Sequence, residues 1–302
     1  MGAELPSDSM PVHVLLCEAH VGFGIPCLQS ALKNTRDAFR LIIHSDGSLS
    51  PSSTDRLREE IPGAAVIPRS EADEQLAERL VHFPAIRAAR TRLPYVMKLF
   101  DINLLSNDDG LVRYLDSDVF FFRPFHGLFP GRTVPEHQAV FSCDYANSYG
   151  ARVTDFWPVG PLILVKKLNS GLFWVRANLI DYDRMEWLFE RWGPARIEEY
   201  RGWFEQTVWA DFAWRVRSQM YHDGQIRTAS ANHGAVSDEV GIHFVGPARH
   251  HLVRLLETSA VFTRTAPDPV SIQTVAARPY TLANALVASA RVRWNRRKRR
   301  KP

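Results

Sequence analysis

The chain of 302 residues is 45% hydrophobic, but no run of about 18 apolar residues occurs, so a membrane-spanning helix is excluded and a soluble globular fold is expected. Cys17, Cys27 and Cys143 are odd in number and lack C-x-x-C spacing, which argues against a disulfide framework or a cysteine zinc site and for buried thiols. The net charge of +4 is local: the stretch RVRWNRRKRRK (291–301) holds eight Lys and Arg and no acid, leaving −4 on the rest, so no specific nucleic-acid-binding face is expected there.

The N-terminal MGAELPSDSMPVHVLL carries acids where a secretory signal would be basic, so secretion is not expected. VHVLLCEAH (12–20) reads as a first strand. Gly22, Gly24 and Pro26 follow, then CLQSALKN, whose Leu28, Ala31 and Leu32 share a helical face. FRLIIHSDG (39–47) reads as a second strand stopped by Asp46-Gly47, and strand, helix, strand in this order predicts an α/β fold with a parallel sheet. Surface helices are expected at TDRLREEI and EADEQLAERLVHF, and a helix opened by Pro94 over residues 93–105. After the polar SNDDG loop comes VRYLDSDVFFF (112–122), nearly continuous in apolar side chains, as a central strand covered on both faces would be.

Asp116 and Asp118 interrupt that run. On an extended chain they point to one side, with Ser117 on the other, and their sequence neighbours offer no partner. Two carboxylates about 4 Å apart repel by roughly 4 kcal/mol at an effective dielectric near 20, which a cation would relieve. Loop-capping aspartates are the plain alternative. Ligands of open α/β sheets sit beyond the carboxyl ends of strands, where this pair would lie.

A hydrophobic strand ending in YLDSD resembles the DxD motif of GT-A glycosyltransferases. LNSGLFWVR (168–176) is similar to the N-x-G strand of glycosyltransferase family 8 and related retaining nucleotide-sugar transferases, WFEQTVWADF (203–212) to their acid-Gln pair opening a helix, and GIHFVGPAR (241–249) to their H-x-x-G-x-x-K. The resemblance implies a GT-A, Rossmann-like mostly parallel central sheet flanked by helices. It also implies a catalytic domain over about 11–265 with a C-terminal extension over 266–302. The implied metal ligands are Asp116, Asp118 and His243, with Asp116 also near the nucleotide ribose. Two hard carboxylates and an imidazole suit Mn²⁺, with Mg²⁺ less favoured. The resemblance places Asn169, Ser170 and Gly171 against the donor sugar. Glu205, Gln206 and Asp144 become the catalytic groups of that sugar's transfer.

The chain departs from the family pattern at Lys98, where Arg is usual, and at Arg249 with Gly246, where Lys would grip the diphosphate; guanidinium can take that role bidentately. His250 and His251 stand in place of a trailing Pro-Trp, which weakens assignment to family 8 itself. The implied reaction moves a sugar from a nucleotide diphosphate sugar, UDP favoured, to a glycan or lipid-linked acceptor with retention of configuration. A sugar nucleotidyltransferase is less well matched, because HVGFGIPCLQS has glycines but no basic residue. A non-catalytic binding protein would be signalled by loss of Asp118 or His243, and both are present.

In YTLANALVASARVRWNRRKRRKP, Leu282, Leu286, Ala290 and Trp294 fall on one side of a helix that turns strongly basic, which suits a cytoplasmic enzyme held at an anionic inner leaflet. A solvated tail is the alternative.

Overall fold

The β-branched and aliphatic stretches of the N-terminal third form the expected parallel unit. β1 (Met10–Leu16) and β2 (Phe39–Ser45) pair with Val12 beside Leu41 and Val14 beside Ile43, joined by α1 (Val21–Asn34). Val12, Val14, Leu16, Leu41 and Ile43 are buried, as central strands covered on both faces require. The computed structural model describes residues 9–106, 110–131, 136–157, 162–231, 238–258 and 268–298, without the side chains of Pro247 and 291–298.

The chain continues through α2 (Pro51–Glu60), β3 (Ala65–Ile67), α3 (Arg69–Leu76), α4 (Pro84–Arg92) and α5 (Met97–Leu104) to β4 (Leu111–Leu115), β5 (Val119–Phe121) and β6 (Phe125–His126). Next come β7 (Ala139–Cys143), β8 (Leu164–Val165), β9 (Leu168–Arg176), α6 (Tyr182–Arg215), β10 (Gln219–Tyr221), β11 (Ile226–Thr228) and β12 (Gly241–His243). α7 (Arg249–Glu257), β13 (Val270–Ser271), β14 (Thr274–Ala276), β15 (Pro279–Tyr280) and α8 (Leu282–Lys298) complete it. The main sheet has eight strands in the order β14-β10-β7-β9-β4-β1-β2-β3, and β5, β11 and β12 form a smaller one. It is mixed: β9 runs antiparallel to both β4 and β7, and β14 antiparallel to β10.

Two sequence expectations change. VRYLDSDVFFF is not one strand: β4 ends at Leu115, the Asp116 carbonyl accepts from Val119 N at 3.3 Å, and β5 belongs to the other sheet. The helix at 93–105 splits into a 3₁₀ turn, Pro94–Val96, and α5, which puts Lys98 in α5's first turn. As expected, residues 203–212 open a helical segment: the backbone leaves helical geometry at Gly193 and again at Arg201, where φ is +36°, and Glu205 and Gln206 lie in the first turns after that break. Within residues 266–302, β13 pairs with β6, β14 with β10 and β15 with β8.

An aromatic stack ties the layers beneath the site. The Phe173 ring centre lies 5.1 Å from Tyr114, 5.2 Å from Phe141 and 4.7 Å from Trp209, joining β9 to β4, β7 and α6. On α8, Ala285 packs inward while Leu286 and Val287 are exposed; no helix among the described residues is long and apolar enough to cross a membrane. The side chains of the basic tail, Trp294 included, lie outside the described residues.

Two buried histidines face each other between β1 and β2, with His13 Nδ1 2.8 Å from His44 Nε2. Burial lowers both, His44 to about 4, and in His13 the neighbouring His44 adds to it. Each therefore binds protons more weakly folded than unfolded. Their stabilisation is complete above about pH 6.5 and is lost as pH falls towards 4, at up to about 1.4 kcal/mol per pH unit per histidine. His44→Leu should flatten this loss in melts taken between pH 7 and 4.5; an unchanged difference from wild type across that range would show that the pair does not titrate this way.

Candidate functional site

The turn between β4 and β5 is held from three sides. Asp116 N donates to Gly171 O of β9 at 2.7 Å, and Phe244 N donates to Asp118 O at 2.9 Å. The antiparallel pairing of β12 with β5 sets His243 opposite Val119, directly beside the turn. Asp116, Asp118 and His243 thus converge, offering three ligand atoms within 4.8 Å of one another.

Asn169 fixes the histidine's orientation. Its Oδ1 accepts from Gly171 N at 2.8 Å, so it is an acceptor, and His243 Nδ1 at 2.9 Å is the donor. His243 Nε2 is thereby turned to the carboxylates, 2.9 Å from Asp118 Oδ1 and 3.4 Å from Asp116 Oδ2. Gly171 permits this by having no side chain: a Cβ there would meet His243 Cε1 at 2.0 Å. The close approach at Gly171 is therefore that of the imidazole.

Contrary to the sequence reading, the acids have a partner nearby in sequence, Tyr114, and others from distant segments. Lys98 Nζ lies 3.1 Å from Asp116 Oδ2 and 4.6 Å from the Tyr114 ring centre. The Tyr114 hydroxyl donates to Asp116 Oδ1. Arg249, the first residue of α7, donates from Nε to Asp118 Oδ2 at 2.8 Å; Gly246, three residues earlier, has φ +43°, a conformation that suits glycine in the turn out of β12. Tyr114 was missed from sequence, although strand alternation places it on the face of Asp116.

The electrostatics follow from this packing. Burial would raise both carboxyls, but Lys98 and His243 hold Asp116 well below the usual carboxylate range, and His243 and Arg249 hold Asp118 below it against the charge of Asp116. Burial would lower His243, yet the two carboxylates raise it to about 9. Three positive groups thus neutralise two negative ones, Asp118 buried and Asp116 partly exposed.

Behind this cluster lies the second group of expected residues. Ser170 Oγ donates to Glu205 Oε2 at 2.9 Å, and burial pushes Glu205 up to about 7. Gln206 Nε2 donates to Asp144 Oδ2 at 3.1 Å and to Ser148 O at 3.0 Å. Every expected site residue therefore falls into two linked clusters at the carboxyl ends of β4 and β7, with Gly246 in the turn leading to Arg249.

The helix-flanked mixed sheet with an Asp-x-Asp turn at a strand end is that of a GT-A glycosyltransferase. Residues 106–281 match the family model described as nucleotide-diphospho-sugar transferase, and the chain belongs to that family. Among solved structures, an active-site mutant of LgtC is 12% identical, covers 86% of this chain and 98% of its own, and superposes with a TM-score of 0.50. Mouse xyloside xylosyltransferase 1 is 14% identical, with 79% of this chain and 98% of that one covered and a TM-score of 0.48. Core-mannan synthase A from Aspergillus fumigatus, solved in an Mn/GDP form, is 12% identical, with 70% and 71% covered and a TM-score of 0.42. No curated protein matches the chain in sequence.

Proposed function

We propose that this glycosyltransferase moves a sugar from a nucleotide diphosphate sugar, UDP-linked by preference, to a glycan or lipid-linked acceptor, with a divalent metal and with retention of configuration. The observation that carries this is the convergence of Asp116, Asp118 and His243, with His243 Nε2 aimed at the acids by Asn169. Two carboxylates and one imidazole fit Mn²⁺ better than Mg²⁺. A metal held there supplies Lewis-acid neutralisation of the departing diphosphate.

The chain's own residues do the rest. Arg249 and Lys98, now bound to Asp118 and Asp116, are the cations placed to turn to diphosphate oxygens once the acids are otherwise neutralised. Asp144, Gln206 and Glu205 surround the donor sugar. Gln206 is oriented by Asp144 and the Ser148 carbonyl, and the Glu205 carboxylate supports positive charge developing at the anomeric carbon. Residues 11–265 carry the catalysis. The exposed Leu286 and Val287, with the eight basic residues after Ala290, support attachment to an anionic inner leaflet.

Thermal melts of the chain with UDP, GDP, CDP or TDP, each with and without Mn²⁺, test the core of this reading. One nucleotide should stabilise only with metal, by about 2.7 kcal/mol at a hundred times its Kd, and Asp118→Ala should abolish the shift. No metal-dependent shift with any of the four would sink it.

A further inference from the structure

The Tyr114 side chain is only 1% exposed, and its ring is pinned. Tyr114 of β4 pairs with Phe173 of β9, and the two rings stack with centres 5.1 Å apart and planes inclined at 25°. Phe173 is held in turn by Phe141 and Trp209. A ring fixed in this way delivers its hydroxyl to one place, Oδ1 of Asp116, two residues further along the chain. An ionised carboxylate only accepts, so the hydroxyl proton is committed to that oxygen.

The two oxygens of Asp116 therefore differ. Oδ2 lies 3.4 Å from His243 Nε2, which is itself 2.9 Å from Asp118 Oδ1, so Oδ2 faces the other two candidate ligands. Oδ1 is taken by the tyrosine. Lys98 Nζ reaches both oxygens, at 3.2 and 3.1 Å, and rests 4.6 Å from the centre of the Tyr114 ring, whose face attracts a cation. An ammonium on a flexible stem can give way to a metal ion; a hydroxyl on a stacked ring stays where it is.

The consequence concerns which ions suit the site. Ca²⁺ takes about six to eight oxygens, often both oxygens of one carboxylate, whereas Mn²⁺ accepts a compact octahedral set. We propose that Tyr114 is a positioning residue for the metal centre: it reserves Asp116 Oδ1, leaves Oδ2 as the single oxygen that meets the ion, and so selects against ions that need both. This rests on the metal-dependent reading of the site, and adds the residue that sets how Asp116 binds and which ions it prefers.

The test titrates the full chain with Mn²⁺, reading the bound fraction from loss of the free-ion electron paramagnetic resonance signal, and then adds Ca²⁺ as competitor. Tyr114→Phe keeps the stacked ring and removes one oxygen atom. Tyr221→Phe is the control: Tyr221 is also 1% exposed and donates to Leu128 O at 2.6 Å, but it lies in β10, separated from β4 by β7 and β9. It reports the general cost of losing a buried hydroxyl bond. Wild type and Tyr221→Phe should bind Mn²⁺ alike. Tyr114→Phe should bind it about tenfold more weakly, the lower range for losing a partner of a metal ligand, while Ca²⁺ binding holds, so that its preference for Mn²⁺ over Ca²⁺ falls by about tenfold. An unchanged preference in Tyr114→Phe, or an equal loss in Tyr221→Phe, overturns the role of Tyr114 alone. Absence of Mn²⁺ binding by wild type overturns the metal reading as well, so the two failures are distinct.

Discussion

Gly171→Ala is expected to abolish metal-dependent nucleotide binding in a chain that still folds. The new Cβ would lie 2.0 Å from His243 Cε1, 2.4 Å from Nδ1 and 2.7 Å from Nε2, so the ring itself must move. Small adjustments are closed off, because Nδ1 is tied to Asn169 and Nε2 to Asp118. The strand cannot retreat easily either, since Gly171 O receives Asp116 N and Gly171 N donates to Asn169. Swinging the ring out removes one candidate ligand and leaves the buried Asp118 and the partly buried Asp116 short of a positive partner.

Overpacking of this kind costs about 1–3 kcal/mol, which a domain of ordinary stability survives. Activity should fall by at least about a hundredfold, the upper range for disturbing the support of a metal ligand. Circular dichroism checks the fold, and melts with Mn²⁺ and nucleoside diphosphate read the site. A Gly171→Ala chain with a normal metal-dependent shift would show that the imidazole on Gly171 is not part of the binding site.

Which parts of this arrangement the sequence disclosed depends on the range of the interactions. β1, α1 and β2 were legible because burial on both faces demands a continuous apolar run, a purely local pattern. Asp116 and Asp118 stood out because uncompensated charge in such a run needs a reason. The neutralising set was not legible: Lys98, Arg249 and His243 reach the acids across 18 to 131 positions of sequence, and nothing local records that approach. The turn at Ser117 was hidden for the opposite reason. Its flanking residues are as apolar as those within a strand, because β5 is also buried, but in a different sheet. The helix start after Arg201 was expected only through the family resemblance, since arginine is a good helix former and nothing local in the sequence signals its positive φ.

Glu205→Gln is expected to raise stability at alkaline pH while transfer collapses. Glu205 is 5% exposed; burial chiefly, with Asp116 adding and Lys98 opposing, raises it from 4.5 to about 7. The folded state therefore holds this proton more tightly than the unfolded one. Stability is fully present below about pH 4.5 and is lost as pH rises through about 7, by roughly 3 kcal/mol in all. Glutamine keeps an acceptor for Ser170 Oγ without the charge, so the variant should melt several degrees above wild type at pH 8 and close to it at pH 4.5. His13 and His44 tilt the wild-type curve the other way between pH 4 and 6.5, so the quantity to read is the variant-minus-wild-type difference. Transfer should drop by about a hundredfold or more, because a neutral amide cannot match a carboxylate beside a developing positive charge. Higher stability with lost transfer would mean that the fold tolerates a destabilising carboxylate for the sake of the reaction. Higher stability with transfer intact would remove Glu205 from the catalytic groups, and no gain at pH 8 would mean that its charge is already neutralised in the folded chain.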